Sequence, residues 1–268
     1  MEGKIEIFRD FLTFIRVETA LFISLTAVCG YLLFNNMNEI VIPLFLAVQF
    51  AGMAGYACNK LIDKKEDFFN QGRLDFFAAN KHGYVVFLSF LLFGVYFSFY
   101  LPLFSFLTYT IGLFSSIIYS IFRLKKIPLF KNIYTAIDVV IAFLVGVTIN
   151  EKFLFSSFTY FPLIFLMVFS GTLIGDLRGG KGDKLAGIKN FTDIIGENKT
   201  KNLIFLCMAV FIFWSLFIKE ALLITLIPFA VGVMFFSKIN DMFKARMSVI
   251  FSFITFGVFI VLSKLLVI

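Results

Sequence analysis

The chain has 268 residues, of which 60% are hydrophobic and only 15% charged, and it carries 41 phenylalanines. That is more apolar side chain than a water-soluble core of this size can bury, so a soluble globule is excluded. The formal net charge of +7 suggests a nucleic-acid partner only if its arrangement is ignored.

Apolar stretches of about 20 residues, enough to cross about 30 Å of hydrocarbon as helix, recur along the whole length. In chain order the expected spans are 17–34, 40–58, 84–101, 103–122, 132–149, 155–175, 202–218, 221–237 and 247–266. One polytopic all-α domain over 1–268 is the economical reading. Glu2, Lys4, Glu6, Arg9 and Asp10 precede the first span and no small-residue cleavage pattern follows it, so the first helix is expected to be retained. With the N-terminus cytosolic, Lys4, Arg9, Arg16, Lys60, Lys64, Lys65, Arg73, Lys81, Arg123, Lys125, Lys126, Lys131, Arg178, Lys181, Lys184, Lys189, Lys199, Lys201, Lys238, Lys244 and Arg246 fall on one side. Only Lys152, Lys219 and Lys264 fall opposite. This is the positive-inside asymmetry, so the basic balance reports topology and no nucleic acid is expected. Cys29, Cys58 and Cys207 have no metal-ligand spacing and an odd count, and read as packing residues.

The connections at 35–38 and 100–102 are short, forcing antiparallel neighbours, whereas the long breaks are on the cytosolic side. Two of these, 59–82 and 176–201, share a layout of apolar helix, carboxylates, basic residue and polar loop, a weak internal repeat. In the first, Asn59, Asp63 and Asp67 are spaced four apart and share one face of a helix continuing from Tyr56. Such oxygen donors suit Mg²⁺, which takes a few carboxylates together with phosphate oxygens and water. The alternative is a solvated helix end paired with Lys60 and Lys64. In the second, Asp176 and Asp183 share a face two turns apart if Gly179, Gly180 and Gly182 stay helical. If the glycines break the helix, the segment is instead a loop whose backbone N–H groups cradle an anion, or a connector.

Arg73, Lys125, Lys126 and Arg178 add positive charge on the same side, and carboxylates, metal and basic side chains together describe a diphosphate site. Lys131 and Lys244 read as topology anchors. Asp138, inside the fifth span, is a functional candidate pairing with a lysine of the 125–131 loop, or a buried structural hydrogen-bonding group. His82, the one histidine, has no neighbouring nucleophile or ligand. Tyr56, Tyr119 and Tyr134 fit an interfacial aromatic belt, or ring faces that stabilise a cation.

These motifs resemble the UbiA superfamily of intramembrane prenyltransferases. Asn59-x-x-x-Asp63-x-x-x-Asp67, followed by Asn70 and Arg73, matches the family's first acidic motif; Tyr119 through Leu124-Lys125-Lys126 to Asn132 resembles its Y-x-x-x-x-L-K-[KR]…N segment. Arg16, just before the first span, also fits. Asp176-x-Arg178-x-x-x-Gly182-Asp183-x-x-x-Gly187, then Ile188-Lys189 and Gly196, resembles the second motif. Gly179 departs from it, standing where many relatives have the first Asp of a D-x-x-x-D pair, and the usual Leu-Pro is replaced near Thr192-Asp193.

The resemblance implies about nine transmembrane helices around a central cavity with cytosolic cap loops. It also implies Mg²⁺-dependent transfer of a prenyl group from an isoprenyl diphosphate, in the cell membrane of a prokaryote. Asn59, Asp63 and Asp67 would bind one Mg²⁺, and Asp176 and Asp183 a second. Arg73, Lys125, Lys126 and Arg178 would hold the diphosphate, with Asp63, Asp67, Asp176, Asp183 and Lys125 as the catalytic set and Tyr119, Asn132 and Asp138 on the cation or acceptor side. The loop motifs lean toward geranylgeranyl transfer to a glycerol-phosphate ether lipid. Prenylation of an aromatic quinone precursor is the alternative, and a non-catalytic prenyl-lipid binder or transporter is the reading from another class.

Overall fold

The computed structural model describes residues 2–64, 68, 75–151, 154–185, 187, 189–218 and 221–265. Among the described residues there are helices and no strand. They are α1 (Glu2–Ile15), α2 (Val17–Leu32), α3 (Val41–Ile62), α4 (Phe76–Ala79), α5 (His82–Ser98), α6 (Leu103–Ile121), α7 (Phe130–Val147), α8 (Leu154–Ser157), α9 (Phe161–Leu185), α10 (Phe191–Ile195), α11 (Glu197–Ile218), α12 (Ala221–Ile224), α13 (Ile227–Lys238) and α14 (Met242–Leu265). A single 3₁₀ turn, Leu124–Lys126, sits between α6 and α7.

Among the described residues, seven segments are long and apolar enough to cross a membrane: Glu6–Leu32, Val41–Ile62, Leu103–Ile121, Phe130–Val147, Phe161–Arg178, Glu197–Ile218 and Met242–Leu262. Two shorter apolar helices, His82–Ser98 and Ile227–Lys238, lie in the remaining expected spans. The outward surface is apolar, with Phe93, Phe114, Phe213 and Phe259 all exposed. A surface of that kind is matched to lipid, and the chain is an integral membrane protein.

Helix packing closes into a circuit. α2 packs on α3 and α7, α7 on α6 and α9, α9 on α11, α11 on α13, α13 on α14, and α14 back on α2 and α9, while α5 lies outside α3. With no hydrophobic force to drive apolar helices together in lipid, close backbone approach and buried hydrogen bonds hold the circuit. The closest approach is α2 against α7, where a Cβ on Gly146 would stand 1.9 Å from the Ala27 carbonyl oxygen and one on Gly30 would stand 2.2 Å from that of Phe143. Ser105 donates to the Val145 carbonyl at 2.6 Å, Ser24 to Gln49 at 2.7 Å, and the Trp214 indole to the Thr159 carbonyl at 3.0 Å.

On the side where α3 and α9 end, short elements cap the bundle. Asp75 caps α4 by accepting from the Phe77 N–H, and Phe77 packs on Phe11 and Phe14 of α1. Asn190 and Asp193 form a reciprocal capping box at the start of α10, and Gly196, at φ 85°, separates it from α11. Arg123, at φ 50°, ends α6 in the left-handed region, which a residue carrying a Cβ enters at a cost of about 1–2 kcal/mol. This stop turns the chain so that Arg123 donates to the Ile62 carbonyl, the last residue of α3, at 3.0 Å.

Candidate active site

α3 carries the first acidic motif to the capped end of the bundle. It stops at Ile62, and Asp63 is its C-cap residue, its N–H donating to the Asn59 carbonyl at 2.9 Å. A single helix running on from Tyr56 through the motif is thereby corrected: Asn59 lies in the last turn of α3, and Asp63 stands at the break with 2% of its surface exposed. Its carboxylate is ion-paired with Lys125, presented from the 3₁₀ turn between α6 and α7. Lys126 is the next residue of that turn. Asp67 and Arg73 lie outside the described residues.

α9 carries the second motif, and here the glycines stay helical: the helix continues through Gly179, Gly180 and Gly182 to Leu185. The anion-cradling loop is therefore ruled out for this segment. Twenty-five residues of helix, apolar over its first three turns and packed against its neighbours, tolerate three costs of about 1 kcal/mol each. Asp176 is buried, with both oxygens engaged by the first turn of α7. Lys131 Nζ lies 2.7 Å from Oδ1, and Asn132 Nδ2 donates to Oδ2 at 3.0 Å. The Lys131 ammonium also donates to Asn190 Oδ1 at 2.9 Å, tying α7, α9 and the start of α10 together. Asp183 is placed by its helical backbone alone.

Lys131, read from sequence as an anchor of topology, is thus part of the site, and Asn190 is a partner that the sequence did not single out. The signal was weak: one lysine among many on its side, beside an asparagine already noted. Arg178 points elsewhere, its guanidinium 5.7 Å from the centre of the Phe243 ring on α14. Among the described residues it makes no ion pair with Asp63 or Asp176.

Between the two carboxylates lies a set of tyrosines. Tyr119 and Tyr134 stack with ring centres 4.1 Å apart and planes 9° from parallel, and the Tyr134 hydroxyl is 3.2 Å from that of Ser115. Tyr119 lies within electrostatic reach of both Asp63 and Asp176, and Tyr134 of Asp138, one turn further along α7. Asp138 makes no lysine ion pair among the described residues, because Lys125 and Lys131 are committed to Asp63 and Asp176. Arg16 lies over the Tyr56 ring at 5.5 Å. All three rings are half-buried. His82 starts α5 and stacks on Phe76, away from the carboxylates.

At the rim, Lys184 at 2.8 Å holds the Asp193 carboxyl below its ordinary range, and the Asn190 N–H adds to this. Deeper in the bundle an apolar cavity is lined by Tyr160, Met167, Phe211, Leu226, Phe253 and Phe256. It lies along the same helix as Asp176, with Met167 nine residues, or about 13 Å, below it.

Among the described residues no three His, Cys, Asp or Glu side chains cluster as metal ligands. The first motif still fits Mg²⁺: a buried carboxylate stands one turn from a carboxamide, with the chain running on toward a further aspartate.

Residues 19–260 match the model of the UbiA prenyltransferase family. The chain belongs to that family. It is therefore an integral-membrane prenyltransferase, all-helical as the motifs implied. Comparison with curated proteins finds no match. Among solved structures it is similar to a UbiA homolog from Archaeoglobus fulgidus bound to DMAPP and Mg²⁺, at 16% identity and a TM-score of 0.72, over 94% of this chain and 98% of that one. A UbiA homolog from Aeropyrum pernix K1 is 14% identical with a TM-score of 0.73, over 94% and 98%. A digeranylgeranylglyceryl phosphate synthase is 18% identical with a TM-score of 0.66, again over 94% and 98%. At these identities the likeness is one of fold.

Proposed function

We propose that the chain transfers a prenyl group from an isoprenyl diphosphate to a lipid-pathway acceptor in a Mg²⁺-dependent reaction. The observation that carries this reading is the convergence of Asp63 and Asp176, from opposite halves of the bundle, on one tyrosine-lined interior. Asn59, Asp63 and Asp67 hold Mg²⁺. Bound there, the ion would supply Lewis-acid stabilisation of the diphosphate as a leaving group.

The remaining chemistry belongs to the side chains. Lys125, which stands beside Asp63, would direct its ammonium at the diphosphate, and Lys126 and Arg73 would add positive charge whose effect grows as the leaving group separates. The bond from prenyl C1 to the diphosphate oxygen breaks with its electron pair going to the diphosphate. The Tyr119 and Tyr134 ring faces stabilise the allylic cation and exclude water from it. The acceptor nucleophile then bonds to C1 and releases its proton on the Asp138 side. The tail runs down α9 toward the apolar cavity around Met167 and Phe211.

The acceptor we favour is a glycerol-phosphate ether lipid receiving a geranylgeranyl group, with an aromatic quinone precursor as the alternative. The likeness to the digeranylgeranylglyceryl phosphate synthase supports the first at the level of fold. The N-terminus and the site face the cytosol of a prokaryotic cell membrane, as the basic residues distribute. The test is diphosphate release by the purified chain given geranylgeranyl diphosphate and each acceptor, with and without Mg²⁺. Release with one acceptor assigns it; no Mg²⁺-dependent release with either refutes the enzymatic reading and favours a lipid binder.

A further inference from the structure

The two acidic motifs present different donor sets to a metal. At the end of α3, Asn59 and Asp63 are one turn apart, with Asp63 as the cap of the helix; Asp67, the third member of the motif, lies outside the described residues. On α9 the helix does not break. Asp176 and Asp183 share a face, but seven residues of helix separate their backbones by about 10.5 Å. One Mg²⁺ spans two carboxylates only where their oxygens come within about 4.2 Å of each other, which a spacing of four on a helix favours and a spacing of seven does not. The intervening positions on that side are Gly179 and Gly180, which have no side-chain oxygen. α9 therefore offers a second Mg²⁺ no closely spaced pair of oxygen donors, and leaves Asp176 as a buried carboxylate that could take one only together with diphosphate oxygens and water.

Both motif carboxylates carry a lysine, Lys125 on Asp63 and Lys131 on Asp176, and at Asp176 the contacts reach further. Lys131 Nζ lies 2.7 Å from Asp176 Oδ1 and 2.9 Å from Asn190 Oδ1, and Asn132 occupies Asp176 Oδ2. The ammonium is gripped by acceptors from two elements, at the start of a helix that also orients Asn132 and Tyr134. We infer that this chain uses one divalent ion, held by the Asn59–Asp63–Asp67 motif, and that the Lys131 ammonium takes the place of a second at Asp176. Lys131 is a positioning residue: it neutralises Asp176 so that a diphosphate can approach α9, and keeps α7, α9 and α10 in register while it does so. The inference rests on the proposed diphosphate chemistry.

The experiment counts metal ions rather than turnover. The full chain in detergent is saturated with a non-cleavable geranylgeranyl thiolodiphosphate and titrated with Mn²⁺, bound and free ion being separated by electron paramagnetic resonance. The expected count is one Mn²⁺ per chain in the parent and in Lys131→Arg, which keeps the charge. In Lys131→Ala, where the carboxylate is released, the expected count is two. Two ions in the parent, or one in Lys131→Ala with the analogue still bound, overturns the inference and leaves the prenyl-diphosphate reading standing. No analogue-dependent Mn²⁺ in the parent overturns that reading instead. Elution of each variant as a single species on size exclusion, and saturable binding of the analogue, separate a lost fold from a changed count.

Discussion

Gly146 on α7 is the most demanding position in the helix circuit, and replacing it with alanine tests whether backbone contact between α2 and α7 sets the site. The new Cβ would stand 1.9 Å from the Ala27 carbonyl oxygen and 2.7 Å from the Tyr31 nitrogen. An ordinary carbon–oxygen contact is about 3.3 Å, so the helices must separate by about 1.4 Å. The obstacle is backbone and cannot rotate aside. A radial gap of about 1 Å forfeits up to about half of the dispersion attraction of the atoms facing it. The upper end of the overpacking range, about 3 kcal/mol, is expected even after alanine's helix preference of about 1 kcal/mol is credited. Gly175 on α9, beside Asp176, supplies the control: a Cβ there meets nothing within 4 Å, so Gly175→Ala keeps the helix-propensity gain with no clash. Heating each variant in detergent and measuring the monodisperse fraction should show Gly146→Ala melting well below the parent and Gly175→Ala at or above it. Gly30→Ala should act at the same interface, so the double variant with Gly146→Ala should lose less than the sum of the two. Equal losses for Gly146→Ala and Gly175→Ala would refute the steric argument.

Asn132→Ala removes a hydrogen bond to a buried carboxylate, worth about 1.5–3 kcal/mol, and should lower kcat/KM for prenyl transfer by about 10- to 100-fold in a steady-state assay; Asn132→Asp, which places a second carboxylate beside Asp176, should lower it further. Asp75 offers a pH test outside the spans. Burial pushes its carboxyl above the ordinary value, with the charge of Asp10 adding and the Phe77 and Ala78 N–H groups and Lys60 opposing. A native pKa above the unfolded one means that the native state binds the proton more tightly, so stability falls as pH rises from the ordinary value of about 3.9 through the raised one. Asp75→Asn keeps an acceptor for the Phe77 N–H and removes that cost, so its melting temperature should exceed the parent's at pH 7 and converge with it near pH 4. A pH-independent difference would assign the effect to packing.

The membrane-spanning character and the two acidic clusters were legible in the sequence because both rest on local pattern. Unbroken apolar runs near the helical length of a bilayer read as helices, which satisfy their backbone groups within the segment as lipid requires. The pairing of charges was not legible, because it depends on which helices meet. Asp138 and Lys131 lie seven residues apart and invite a partnership along the chain. The structure instead sends Lys131 across to Asp176, forty-five positions away, because α7 packs directly on α9. The broken geometry of the first motif has a similar origin. A spacing of four predicts one helical face, but Arg123, turned by its left-handed backbone, takes the carbonyl of Ile62, and Lys125 takes the carboxylate of Asp63. The end of α3 is thereby fixed by contacts from sixty residues downstream. Gly179 was visible as a departure and Lys131 as one lysine among many, and neither alone carries a meaning. Set beside each other, they describe one change in the same site: an oxygen donor is missing from α9, and a positive charge from α7 stands on the carboxylate that remains.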